Sequence, residues 1–305
     1  MNRTGRAPEI EPTKIDIAVV VRSRNIVGES PIWCPKSRQL YLVDIQGKAI
    51  HTVRPGDSHY RSYALPDWVT SLSTRASGGL ILTLRKTFAF FDPGTNALQR
   101  LADPEPDRPD NRFNDGKCDR QGRLWAGTMG AKDWLAPSGA LYRFGADRKI
   151  TRMQDQVKCS NGTGWSPDGR TLYYTESFRY GIFAYDFDPA SGEIANRRPF
   201  VSLDPDAGGF PDGLTVDAEG FVWSAQPVYG RLVRYDPAGK IERIIALPVS
   251  RGTSCIFGGA DYGTLYVTTA TETLTKAQLE EEPLAGSLLA LEPGVKGLPE
   301  TPFAG

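Results

Sequence analysis

Histidine is almost missing from this 305-residue chain: only His51 and His59 occur. Any mechanism that needs an imidazole must use one of these two, and both fall in one short stretch. Cysteine is nearly as scarce. Cys34, Cys118, Cys159 and Cys255 show no CxxC pairing, which argues against a disulfide framework or a thiolate zinc site and for free, mostly buried thiols in a reducing compartment. Neither sign of charge dominates, since Lys plus Arg and Asp plus Glu are both 36. With no basic stripe, a nucleic-acid partner is not expected. No apolar run is long enough to span a bilayer as a helix. The opening MNRTGRAPEIEPTK has no apolar core of a secretory signal, so residues 1–14 are expected to be a short disordered tail and the protein to be cytoplasmic.

Low-complexity linkers and long helical periodicity are absent as well. What the sequence has instead is one recurring phrase: a polar turn, an apolar-aromatic pair, a few alternating residues, and a further strand ending near Asp-Pro. The pairs are Leu40-Tyr41, Leu80-Ile81, Leu124-Trp125, Leu172-Tyr173, Val222-Trp223 and Leu265-Tyr266. A period of roughly 40–50 residues built from short strands is the mark of propeller blades. Gly- and Asp-rich pieces such as Arg120-Gln121-Gly122 and Ala218-Glu219-Gly220 supply the hairpin turns. The expected fold is all-β, a six-bladed β-propeller with a central channel, filling residues 15–305 as one domain. A β-sandwich of six hairpins fits the even spacing less well. The segment IDIAVVVRS at 15–23 is expected to join the last blade as its outer strand, because a closed ring must hide its terminal edges.

The repeat also serves as a ruler, since positions of equal phase lie at equal height around a channel. Counting back from each apolar pair gives Glu29, Thr70, Asn114, Asn161, Asp212 and Ser254. All six are oxygen donors, and two are carboxylates. Such a ring at one mouth suits a hard divalent cation, and the neighbouring glycines would let backbone approach a bound ion. A lone Pro-Asp-Gly or Asn-Asp-Gly is ordinarily just a turn, and Ser166–Arg170 is read as one. Glu29, Asn161 and Asp212 stand out because they share a phase across three blades.

The phrases GESPIW (28–33), NRFNDGKCD (111–119), GRLWAGTM (122–129), SNGTGWS (160–166), PDGLTVDAEGFVW (211–223) and TSCIFGGADYGTLYVTTA (253–270) span nearly the whole chain. In kind and order they resemble the regucalcin/gluconolactonase family, also called the senescence marker protein family. The resemblance implies a divalent-metal-dependent lactonase acting on a small-molecule sugar lactone. It implies that Glu29, Asn161 and Asp212 hold one metal ion, and that Asp212 doubles as catalytic acid/base. Arg112 and Asn114 then contact substrate. The donor set leaves Ca²⁺, Mg²⁺, Mn²⁺, Zn²⁺ and Fe²⁺ open. The sequence departs from the family in the loop at 130–138, where an acidic substrate contact of the animal members has no clear counterpart among Lys132, Asp133 and Trp134. Two other functions remain open at this point. One is a paraoxonase-like calcium hydrolase, which the position of the two histidines disfavours. The other is a non-catalytic calcium-binding propeller. Both histidines are expected at the surface.

Overall fold

The computed structural model describes residues 10–57 and 60–305. Its strands form six four-stranded antiparallel sheets, each a meander running from an inner to an outer strand. The inner strands are Gly28–Cys34, Val69–Thr74, Asn111–Cys118, Ser160–Trp165, Leu214–Val216 and Gly252–Gly258, for blades 1 to 6. Blade 6 is completed from the other end of the chain: Ala18–Val21 pairs antiparallel with Leu288–Leu291, in the register Ala18 to Ala290. The expected ring closure is thus observed. Upstream, residues 1–9 lie outside the described part, and Thr13 N donates to Ile244 O at 2.7 Å along the edge of blade 5.

Alternation along each strand explains why the apolar phrases look almost continuous. Successive side chains leave opposite faces of a sheet, and each blade is covered on both faces by its neighbours. In Gln39–Asp44, Leu40 and Leu42 pack toward blade 6, while Val43 packs toward blade 2. In Leu80–Leu84, Leu80 and Leu82 face blade 1, and Ile81 faces blade 3. Apolar clusters accordingly fill the gaps between adjacent blades all round the ring.

Two hairpins show how the turn chemistry is fixed. Asp119 Oδ1 accepts from Gln121 N and Arg123 N, while Oδ2 accepts from Trp125 Nε1 at 3.0 Å. Asp217 repeats the pattern with Glu219 N, Phe221 N and Trp223 Nε1. One carboxylate thereby shapes the turn and satisfies a buried indole N–H.

The chain's last segment crosses the end of the channel where these turns lie. Glu300 meets Lys117 at 3.7 Å, Ala304 N donates to Gly122 O, and Phe303 N donates to Thr74 O. Phe303 is fully buried between blades 2 and 3, stacked on Phe144 at 5.6 Å. Only about 20 Å³ remains beside Lys117 and Glu300, little more than one water occupies.

Candidate functional site

At the opposite end, where the inner strands begin, a cavity of about 270 Å³ opens to solvent. That is close to the lower end of the ~300–1,000 Å³ typical of small-molecule sites. Glu29, Arg112, Asn114, Asn161 and Asp212 all line it. The common phase has a structural cause. Inner strands 1, 2, 3, 4 and 6 each carry a register slip at this height, between Glu29 and Ile32, Val69 and Ser71, Phe113 and Gly116, Ser160 and Thr163, and Gly252 and Ser254. A bulge bends its strand and re-aims a side chain. In blade 5 Asp212 precedes the strand, held by Asp212 N to Ala225 O at 2.9 Å.

Two members of the expected ring do not reach the cavity. Thr70 Oγ1 is spent on Thr83 Oγ1 at 2.8 Å, and Ser254 packs beneath Gly213. The slip in blade 6 brings Thr253 and Arg251 to the lining instead. The neighbouring glycines also let adjacent blades approach each other closely. A Cβ on Gly162 would lie 2.4 Å from Leu214 N, one on Gly213 2.1 Å from Ser254 Oγ, and one on Gly116 2.9 Å from Ser71 Oγ.

Glu29 is 7% exposed and Asp212 7% exposed. The Glu29 carboxylate accepts from Ser30 N at 2.7 Å. Ser30 takes the left-handed φ of 45°, and its hydroxyl accepts from Leu72 N of blade 2, which holds this unfavourable backbone in place. Asn161, 5% exposed, donates through Nδ2 to Ser177 Oγ at 3.1 Å, and its buried Oδ1 has no protein partner. A buried amide oxygen without a donor is costly, and here it sits in the same lining as two carboxylates. Among the described residues no three His, Cys, Asp or Glu side chains converge as a metal cluster. In this lining Glu29, Asp212 and Asn161 offer two carboxylates and one amide oxygen, a set that would suit an oxygen-preferring cation.

Electrostatics point the same way. Burial, then the charge of Asp212 and that of Asp115, hold Glu29 well above the usual carboxylate range. Burial, then Asp115, does the same to Asp212, opposed by the Asn161 amide. Asp115, chiefly through burial, is pushed up to about 6 despite Lys117 nearby. Three such carboxyls are not comfortably ionised together without a counter-cation.

Arg112 does not pair with Asp110, which is bound by Lys132 at 2.7 Å. Its Nη1 donates to Asn114 Oδ1 at 2.7 Å and to Phe113 O, and its guanidinium lies 5.6 Å over the Trp68 ring. Asn114 Nδ2 donates across to Ser160 O at 2.8 Å, so Asn114 ties blade 3 to blade 4 while facing the cavity. In the 130–138 loop, Asp133 caps Leu135 N, and neither it nor Lys132 lines the cavity; Trp134 does.

Sequence reasoning missed a second ring. Gln46, Phe178, Val228 and Glu272 line the cavity alongside Trp134, the one member the sequence had offered as a pocket wall, each from the connection just after its blade's second strand. Glu272 is hydrogen-bonded by Gln46 Nε2. His51 was expected at the surface but is buried in Ala49–Val53, because Tyr60 covers it: the rings stack at 5.4 Å and Tyr60 Oη meets Nδ1 at 3.0 Å. It does not line the cavity. His59 lies outside the described residues. All four cysteines are free.

An all-β ring of blades around an acidic, amide-bearing pocket defines a class, and comparison with known proteins supplies the family. Residues 27–271 match the SMP-30/Gluconolactonase/LRE-like region, and the chain belongs to that family. A protein of Bacillus subtilis (strain 168), assigned provisionally as the sugar lactone lactonase YvrE, is 35% identical over 95% of this chain and 99% of its own. Regucalcin of Xenopus laevis is 36% identical over 96% of this chain and 100% of its own. The solved structure of a calcium-binding protein, regucalcin, from Agrobacterium tumefaciens superposes with a TM-score of 0.89 at 27% identity, covering 95% of this chain and 97% of that one.

Proposed function

We propose that this protein is a lactonase that opens a sugar lactone to its aldonic acid at the 270 Å³ cavity, with one divalent cation held by Glu29, Asn161 and Asp212. Lactone hydrolysis is supported by membership of the gluconolactonase family and by the lactonase assignment of the Bacillus relative. The observation that carries the metal reading is the unpartnered, buried Asn161 Oδ1 in the same lining as two buried carboxylates, both held well above the usual carboxylate range. The calcium-binding description of the Agrobacterium structure supports a divalent ion in this fold.

When bound, the cation supplies Lewis acidity toward the lactone carbonyl. Asp212 removes a proton from the attacking water and returns it to the leaving ring oxygen. In the cation-free protein burial, then Asp115, holds its carboxyl well above the usual aspartate range, and a bound cation would lower it again. Arg112 has guanidinium N–H groups left over after bonding Asn114 and Phe113, and offers them to substrate oxygens. Asn114 fixes the position of Arg112. Asp212→Ala is expected to abolish turnover and weaken cation binding, read by steady-state kinetics and titration calorimetry. A near-wild-type kcat in that variant would sink the assignment of Asp212.

A paraoxonase-like mechanism through a histidine finds no support, because His51 is turned into blade 1 against Tyr60. Calcium binding without catalysis remains the second reading, favoured by the description of the Agrobacterium protein. It predicts cation binding by the same three residues and no lactone turnover.

A further inference from the structure

The cavity is not uniform around its rim. In a ring of six blades, the boundary between blades 6 and 1 faces the boundary between blades 3 and 4. At the first boundary stand Glu272, from blade 6, and Gln46, from blade 1, joined by a hydrogen bond. At the second stand Trp134 from blade 3 and Phe178 from blade 4, stacked at 6.2 Å and 8°, with Phe210 adjoining Phe178 at 5.4 Å toward blade 5. We propose that these unlike walls set substrate choice, Glu272 accepting hydrogen bonds from ring hydroxyls while the aromatic trio covers the carbon–hydrogen face of the same lactone. This rests on the lactonase reading and narrows it to polyhydroxylated rings presented edge-on to Glu272.

Glu272 has no evident structural duty. The backbone already anchors its loop, through Glu272 N to Ile26 O at 3.0 Å and Thr271 N to Asn25 O at 3.1 Å. Among the described residues its carboxylate has no Lys or Arg partner within salt-bridge distance, although Arg112 acts on it from further away. A carboxylate can accept about four hydrogen bonds, and Gln46 uses one. The side chain therefore keeps acceptor capacity facing the cavity. On the other wall Trp134 remains 41% exposed although it stacks on Phe178, so much of its indole is left for something else to cover. Aromatic walls with a few placed polar groups are the usual makeup of a small-molecule site.

The test uses D-glucono-δ-lactone, its singly deoxygenated analogues and the non-hydrolysable gluconolactam, on the full-length protein. The wild type is expected to discriminate against at least one deoxy analogue by about 10- to 100-fold in kcat/KM, the size of a hydrogen bond to a charged group. Glu272→Ala should lose that one discrimination and keep the others, as a double-mutant cycle requires of interacting partners. Trp134→Ala should raise KM across the whole series with kcat little changed. Full discrimination retained by Glu272→Ala, or none in the wild type, overturns the proposal while leaving lactone hydrolysis intact. If no lactone is hydrolysed but the lactam binds in a Glu272-dependent way, the lactonase reading falls and the two-walled site stands. If the lactam binding of wild type and Glu272→Ala is equal as well, both fall.

Discussion

Replacing Asp115 by asparagine should make the cation-free protein more stable, and only at neutral or alkaline pH. Asp115 lies in the channel beside the two proposed carboxylate ligands, and its pKa is raised from 3.8 to about 6. A carboxyl whose folded value is raised contributes stability that is present below about pH 4 and lost as pH rises through about 6. The loss is about two pKa units at roughly 1.36 kcal/mol each, near 3 kcal/mol at pH 8. This is an upper value, because part of the residue remains accessible. Asparagine keeps the acceptor for Gly116 N, now at 2.7 Å, and never ionises. It also relieves Glu29 and Asp212, on both of which Asp115 acts. For a chain of this size each kcal/mol moves Tm by roughly 2 °C, so the expected gain is about 6 °C at pH 8 and nothing at pH 4. Thermal unfolding in chelator across that range reads it, and saturating divalent cation should shrink the difference. An equal gain at both pH values, or a loss at pH 8, would refute the electrostatic reasoning.

Three further outcomes follow from single contacts. Arg112→Ala should raise KM about 10- to 100-fold with a smaller change in kcat, in steady-state lactone hydrolysis, because it removes a charged donor from the cavity. Phe303→Ala should cost about 3–5 kcal/mol in denaturant unfolding and leave kcat/KM of the folded fraction unchanged, since Phe303 sits at the far end of the channel. Gly213→Ala should cost about 1–3 kcal/mol and impair activity too, because the new Cβ would fall 2.6 Å from Ser254 Cα, beside Asp212.

How much of this was legible in the sequence depended on what repeats. Apolar pairs such as Leu40-Tyr41 recur because both faces of every blade are buried, so the fold and the closing strand could be read from pattern alone. Glu29, Asn114 and Asn161 were found by phase because a bulge recurs at one height in successive inner strands. The same bulges misled the count at Ser254, where a slip of register brings Thr253 to the lining instead. Glu272, Gln46 and Phe178 follow their second strands through connections of differing length, so a ruler set on the inner strands passed over them. Phe303 lies in the aperiodic TPFAG, and nothing local marks it as core. His51 was misjudged because its cover, Tyr60, comes from the neighbouring outer strand.

The most direct test of the central claim is lactone hydrolysis by chelated protein, with acid release followed as single divalent cations are restored. D-glucono-δ-lactone and a pentonolactone serve as substrates, and spontaneous hydrolysis is subtracted. Turnover should vanish on chelation, return with at least one cation, and fail to return in Asp212→Ala. Full activity in the chelated protein, or none with any cation from folded protein that still binds one, would contradict the account.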